Sequence, residues 1–153
     1  MTYPYPRHRI RELVSAPKVI RDNERLVIER KGEHGAGFNV NLDLVDGPFV
    51  DLRYLGKATD QSKPASYEAN LILGGHRVRG VGHNFVGRKN LRAKQRIPAG
   101  WHQNFCDPNL PTVHAESNRH EPMGGFAPTD FVDFIGKCAV LWAIDLRTEE
   151  VLL

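Results

Sequence analysis

The chain has 153 residues, 41% hydrophobic and 25% charged, with 21 Lys and Arg against 18 Asp and Glu for a formal charge of +3. That is the size of one domain, 1–153, around one core. No apolar run approaches the roughly 18 residues that cross a bilayer, so a membrane helix is excluded. No apolar secretory core follows the first residues, and Cys106 and Cys138 lack the spacing of a disulfide framework or a zinc ribbon. A cytoplasmic protein with two reduced thiols is expected.

After a proline-punctuated start, Ile10, Leu13 and Val14 recur at helical spacing and Pro17 stops the run, which predicts a short N-terminal helix over Arg7 to Ser15. Residues 24–30 are short and β-branched, and read as a strand. Phe38, Val40, Leu42 and Leu44 alternate with Asn39, Asn41 and Asp43 in the clearest strand pattern of the chain, and Val50, Leu52 and Tyr54 repeat it after Asp46-Gly47-Pro48. A two-residue turn would set Asp51 and Arg53 on the apolar face. A three-residue loop instead pairs Leu44 with Val50, Leu42 with Leu52 and Val40 with Tyr54, the register expected for a hairpin over 38–55.

Tyr67 to Leu73 and His76 to His83, joined by Gly74-Gly75, form the second expected hairpin, 67–83. A regular ladder pairs Leu71 with Val78, Ile72 with Arg77, Asn70 with Arg79 and Glu68 with Val81. Arg77, Arg79, Asn70 and His83 then share one surface, with Gly80 and Gly82 leaving room beside them.

The stretch from Ala69 to Cys106 contains no Asp or Glu, yet it holds Arg77, Arg79, Arg88, Lys89, Arg92, Lys94 and Arg96 with His76, His83 and His102. The basicity of the chain is concentrated here. Residues 85–100 lack an apolar period and read as a mobile basic flap. Beyond it, Trp101, Gln103 and Phe105 alternate with His102 and Asn104 as a strand would. Residues 107–128 show no period and read as a long loop, of the kind that is functional or disordered, carrying His114, Glu116, His120 and Glu121.

Phe131, Phe134, Ile135, Cys138, Leu141 and Trp142 make the stripe of a core-facing helix with Thr129 as its N-cap. Gly136 leaves open a helix that stops there, followed by a strand over Cys138 to Ile144. The expected fold is α+β, a single antiparallel sheet built from two hairpins and packed by the C-terminal helix and the short N-terminal one.

Several familiar chemistries fail on spacing. His114-Ala115-Glu116 lacks the Cys pair of a zinc deaminase, and no phosphate-binding glycine loop precedes a helix. No G-x-S-x-G elbow occurs, and Cys106 has no defined histidine partner. His83, His102, Asp107, His114 and His120 are ligand types for a metal, but at separations that match no compact zinc motif. No cofactor is implied.

The pattern that remains suits phosphodiester chemistry. Cleavage of RNA through its own 2′-hydroxyl needs one group to take a proton, another to give one, and cations beside the phosphate. His83 and His102 are the candidate acid–base pair with Arg79 as the assisting cation. Arg77, Arg88, Lys89, Arg92, Lys94 and Arg96 are the candidate phosphate contacts. The leading expectation is a metal-independent ribonuclease with RNA as partner. The alternatives are a non-catalytic nucleic-acid-binding or regulatory module, and a histidine-ligated metal-binding protein. Nothing in the sequence specifies an oligomeric state.

Overall fold

Helix α1 (Arg7–Ser15) buries Ile10, Leu13 and Val14, the three residues that helical spacing puts on one side. Its N-terminus has no side-chain cap, and the chain leaves the helix in extended conformation at Ala16. The computed structural model describes residues 3–84, 88–90, 95–97, 99–114, 116–146 and 151–152. After α1 come β1 (Lys18–Ile20), β2 (Leu26–Val27), β3 (Glu29–Lys31), β4 (Gly35–Leu44) and β5 (Leu52–Ala58). A 3-10 turn over Pro64–Ser66 leads into β6 (Tyr67–Leu73) and β7 (His76–Asn84). Then follow β8 (Arg88–Asn90), β9 (Gln95–Ile97), β10 (Gly100–Cys106) and β11 (Asn118–Pro122). Helix α2 (Phe131–Leu141), β12 (Ile144–Asp145) and β13 (Val151–Leu152) complete the described elements.

The fold is α+β. Among the described residues, nine strands join in one mostly antiparallel sheet, in the order β11-β10-β7-β6-β5-β4-β1-β12, with β3 also paired to β4. The two expected hairpins, β4–β5 and β6–β7, are its centre. The sheet extends beyond them because β1 and β12 add on one side and β10 and β11 on the other. The β4–β5 register pairs Val40 with Tyr54 and Leu42 with Leu52, as the apolar faces require, while Leu44 pairs with Lys18 of β1. The strand expected over 24–30 divides into β2, which pairs with β13, and β3, which pairs with β4.

Both helices pack into one core. Leu42, Leu52, Leu71 and Phe134 belong to the same buried cluster, together with Ile10 and Leu13. Tyr54 anchors α2 by donating its hydroxyl to Ile135 O at 2.6 Å, and the Trp142 indole donates to Gln103 Oε1 at 3.0 Å. Helix α2 runs through Gly136 to Leu141, so the shorter helix is not formed. Its N-cap is Asp130, not Thr129. The Asp130 carboxylate accepts from Asp133 N at 2.8 Å, while the Asp133 carboxylate accepts from Thr129 N at 2.9 Å. Leu141, expected in the core stripe, is 41% exposed because the helix ends there and the stripe passes to Trp142. Among the described residues no helix is long and apolar enough to cross a membrane.

Two further expectations are corrected. The basic stretch is not a featureless flap, because β8 and β9 pair as an antiparallel ribbon, Arg88 with Ile97, Lys89 with Arg96 and Asn90 with Gln95. The long loop over 107–128 contains β11, an edge strand that the sheet selects by pairing its backbone with β10. Its sequence, Asn118-Arg119-His120-Glu121-Pro122, has no apolar alternation by which to be recognised.

Candidate functional site

A bulge in the second hairpin decides where the candidate residues point. Ile72 pairs with Arg77, but Leu71 pairs with Arg79, so the strand carries one extra residue at Val78. From there on β7 is shifted by one: Asn70 faces Gly80 and Ala69 faces Val81. Arg77 and Arg79 therefore lie on opposite faces, which corrects the expectation that they share one. The cause is core packing, since Val78 and Val81 are three residues apart and yet both are buried with Leu71 and Ala69. A regular strand alternates its faces and cannot bury both. That odd spacing is the signal by which the bulge is legible in the sequence.

The ladder between β7 and β10 sets out the rest. Gly80 faces Asn104 and Gly82 faces His102, while Trp101 faces His83, Gln103 faces Val81 and Phe105 faces Arg79. One row across the sheet thus reads Asn70, Gly80, Asn104, His120. It lies on the face away from Trp101 and the helices. The glycines make this row possible. A Cβ on Gly80 would stand 2.9 Å from Asn70 Oδ1, and one on Gly82 would stand 3.8 Å from His102 Cε1.

His102, Asn104 and His120 are buried, and the rings of His102 and His120 lie 5.0 Å apart on neighbouring strands. Among the described residues, the buried Oδ1 of Asn104 has no hydrogen-bond partner. That leaves a desolvated acceptor for a donor of a bound molecule to satisfy. His83 belongs to the other face and packs edge-on against Trp101, with 5.1 Å between ring centroids.

The two faces meet at a gap. The β6–β7 ladder ends at Ala69–Val81 although β7 continues to Asn84. Between the parted strands lies a pocket of about 230 Å³. Ser66 and Glu68 form one wall, Arg77 and His83 the other, and His102 and Asn104 come from β10. His83 and His102 are therefore brought to one cavity from opposite faces, and Arg77 stands beside them. Glu68 is the carboxylate of the site, 3.6 Å from Lys57.

Arg79 is elsewhere. It is buried on the helix side, its guanidinium donates to Val78 O at 2.7 Å and lies over the Phe105 ring at 4.7 Å, and it borders a different cavity. Desolvation lowers its pKa from the usual arginine value. Arg88, Lys89 and Arg96 lie on the β8–β9 ribbon, and Arg92 and Lys94 fall outside the described residues. The backbone of β9 runs alongside β11.

His114 is exposed, and its Nδ1 accepts from Glu116 N at 3.1 Å. The Asp107 carboxylate is engaged by Arg7 and Asn109. Among the described residues no three His, Cys, Asp or Glu side chains are grouped so as to hold a metal ion. Of the pocket residues, those of the Pro64–Ser66 turn were not foreseen, because that wall is built by chain crossing, which no local period records. Comparison with protein-family models, with curated proteins and with solved structures finds no match.

Proposed function

We propose that the protein acts on RNA as a cytoplasmic, metal-independent ribonuclease in which His83 and His102 are the acid–base pair and Arg77 faces the phosphate. The observation that carries this reading is that both imidazoles border one pocket of about 230 Å³ together with a guanidinium. Cleavage by the substrate's own 2′-hydroxyl requires a base on one side of the phosphorus and an acid on the other, with a cation against the developing charge. Two histidines reaching one cavity from opposite faces suit that division. Histidine's ordinary pKa of about 6.5 lets one ring be neutral and the other protonated near neutral pH.

Further support comes from the surroundings. The buried Asn104 Oδ1 is an acceptor for a ribose hydroxyl or a base amino group. The β8–β9 ribbon, with Arg88, Lys89 and Arg96, leads from the end of β7 and lies near β11. It supplies a contact surface for the phosphates on either side of the scissile one. Free Cys106 and Cys138 agree with a reducing compartment.

The test is incubation with labelled RNA, with and without a chelator. His83→Ala and His102→Ala should each reduce cleavage by about 10²–10⁴-fold, the usual weight of one general acid or base. The pH–rate profile should be bell-shaped, the chelator should have no effect, and the same sequence as DNA should not be cut. RNA bound without turnover would replace the enzyme by a binding module. Loss of activity with chelator would move the histidines to a metal site.

A further inference from the structure

A second cluster of cations lies on the helix side of the same strands. Arg7 and Arg11 of α1, Arg79 of β7 and Arg119 of β11 surround a cavity of about 40 Å³ lined also by Phe105. Two of them have carboxylate partners. Arg7 Nε is 3.3 Å from Asp107 Oδ2, while Arg119 Nε is 3.3 Å from Glu116 Oε2 and its guanidinium also pairs with Glu121. Among the described residues, Arg11 and Arg79 have none.

Arg79 is only 8% exposed. A guanidinium cannot escape burial by losing its proton, as a lysine can, so its charge has to be met where it stands. Phe105 meets part of it. The ring stands between Arg79 and Arg119 in the ladder, with the two guanidinium carbons 4.7 and 4.6 Å from its centroid. Val78 O accepts one of the Arg79 N–H groups, and Glu121 acts on Arg79 from a distance, without an ion pair among the described residues. Four guanidiniums against Asp107, Glu116 and Glu121 leave the cluster one positive charge in excess, and among the described residues the two forks of Arg11 and Arg79 lack a carboxylate partner, which suits an anion with several oxygens. A single water takes roughly 10–15 Å³ of such space, so the cavity admits a few oxygen-sized atoms, as a phosphate presents them.

We propose that this cavity is a phosphate-binding site, with Arg11 and Arg79 as the two planar donors and Arg7 and Arg119, already held by Asp107 and Glu116, at its rim. Paired guanidinium forks suit the oxygens of a phosphomonoester, each taking two parallel N–H···O bonds. The site is separate from the histidine pocket, from which β7 and β10 divide it. It goes beyond the ribonuclease reading and stands without it.

The test uses the full chain. Thermal unfolding is followed in sodium phosphate and in sodium chloride at equal ionic strength, and inorganic phosphate is titrated by calorimetry. Phosphate should raise the Tm more than chloride does, and Arg11→Gln should weaken phosphate binding at least about tenfold, the loss of one bidentate contact. Arg11 is exposed on α1, so this variant keeps the fold, and it decides the matter even where Arg79→Met does not fold.

His102→Ala should leave phosphate binding unchanged, which separates this site from the histidine pocket. An RNA oligonucleotide with a 5′-phosphate is compared with its 5′-hydroxyl counterpart. Tighter binding of the former, lost in Arg11→Gln, assigns the site to a nucleic-acid end. Equal binding of the two, with inorganic phosphate still bound, assigns it to free phosphate. Stabilisation no greater than that of chloride, or phosphate binding that survives Arg11→Gln, overturns the proposal.

Discussion

Arg77 and Arg79 stand two residues apart on β7 and point to opposite faces of the sheet, because Val78 is a bulged residue between them. Only Arg77 borders the histidine pocket. Arg77→Ala should therefore weaken RNA binding or cleavage by about tenfold, as expected for one charge-assisted phosphate contact, with no change in urea midpoint. Arg79→Met keeps the length and apolar stem of the side chain, and should change cleavage less than about twofold. Equal losses in the two variants would show that both guanidiniums reach the same phosphate.

The glycines should separate by what surrounds them. A Cβ at Gly56 would lie 2.4 Å from Glu68 O and 2.8 Å from the Phe38 ring, whereas at Gly82 it would meet His102 at ordinary contact distance, 3.8 Å. Gly56→Ala should destabilise by about 2 kcal/mol or more, since strand backbone and a core ring must both move. Gly82→Ala should cost less than about 1 kcal/mol. Denaturant unfolding of the two variants measures this directly, and a reversed order would refute the strand spacing around the pocket.

Lys18 is fully buried, and its ammonium donates to Val14 O, Ala16 O and Trp142 O at 2.7, 2.8 and 2.8 Å, tying the end of α1 to the end of α2. Burial lowers its pKa from the ordinary 10.5 to about 8. Between these values the unfolded chain holds a proton that the folded one has released, so the stability that Lys18 contributes rises with pH through this window. Tyr54 and Cys138, both raised by burial, act in the opposite sense, and they cancel when wild type is compared with Lys18→Met. The difference in unfolding free energy between the two proteins should grow by at most about 1.4 kcal/mol per pH unit across the window. Urea titrations at several pH values test it. A difference that narrows instead would mean that the three carbonyls hold the proton more tightly than water does.

The β8–β9 ribbon gives a prediction about salt. Replacing Arg88, Lys89, Arg92, Lys94 and Arg96 with glutamine should leave the melting of the fold unchanged and weaken RNA binding. It should also reduce the slope of log affinity against log salt by about 0.7 for each cation that had met a phosphate. Filter binding at several salt concentrations reads the slope. An unaltered slope would remove the ribbon from the contact surface.

Much of the architecture is legible from residue patterns, because side-chain period is a local property. The alternation of Phe38, Val40, Leu42 and Leu44 against Val50, Leu52 and Tyr54 determines a hairpin and its register, since any slip would bury Asp51 or Arg53. The spacing of Phe131, Phe134, Ile135 and Cys138 determines a helix and the face it buries. The alternation of Trp101 with His102 likewise gives the two faces of β10. The sequence also puts His83 and His102 on strands next to a run of cations.

What only the tertiary structure decided depends on competition between distant parts of the chain. The bulge at Val78 arises because the core under β6 takes both Val78 and Val81, and this demand turns Arg79 away from Arg77 and onto Phe105. Strand β11 exists because β10 has an open edge to pair with, and its polar sequence carries no period to announce it. The pocket itself is a gap where the β6–β7 ladder stops while both strands run on, closed by the Pro64–Ser66 turn. A gap between strands has no residue pattern of its own. It follows from element lengths and from how the ends of the sheet are stacked, and these are settled only when the whole sheet is assembled.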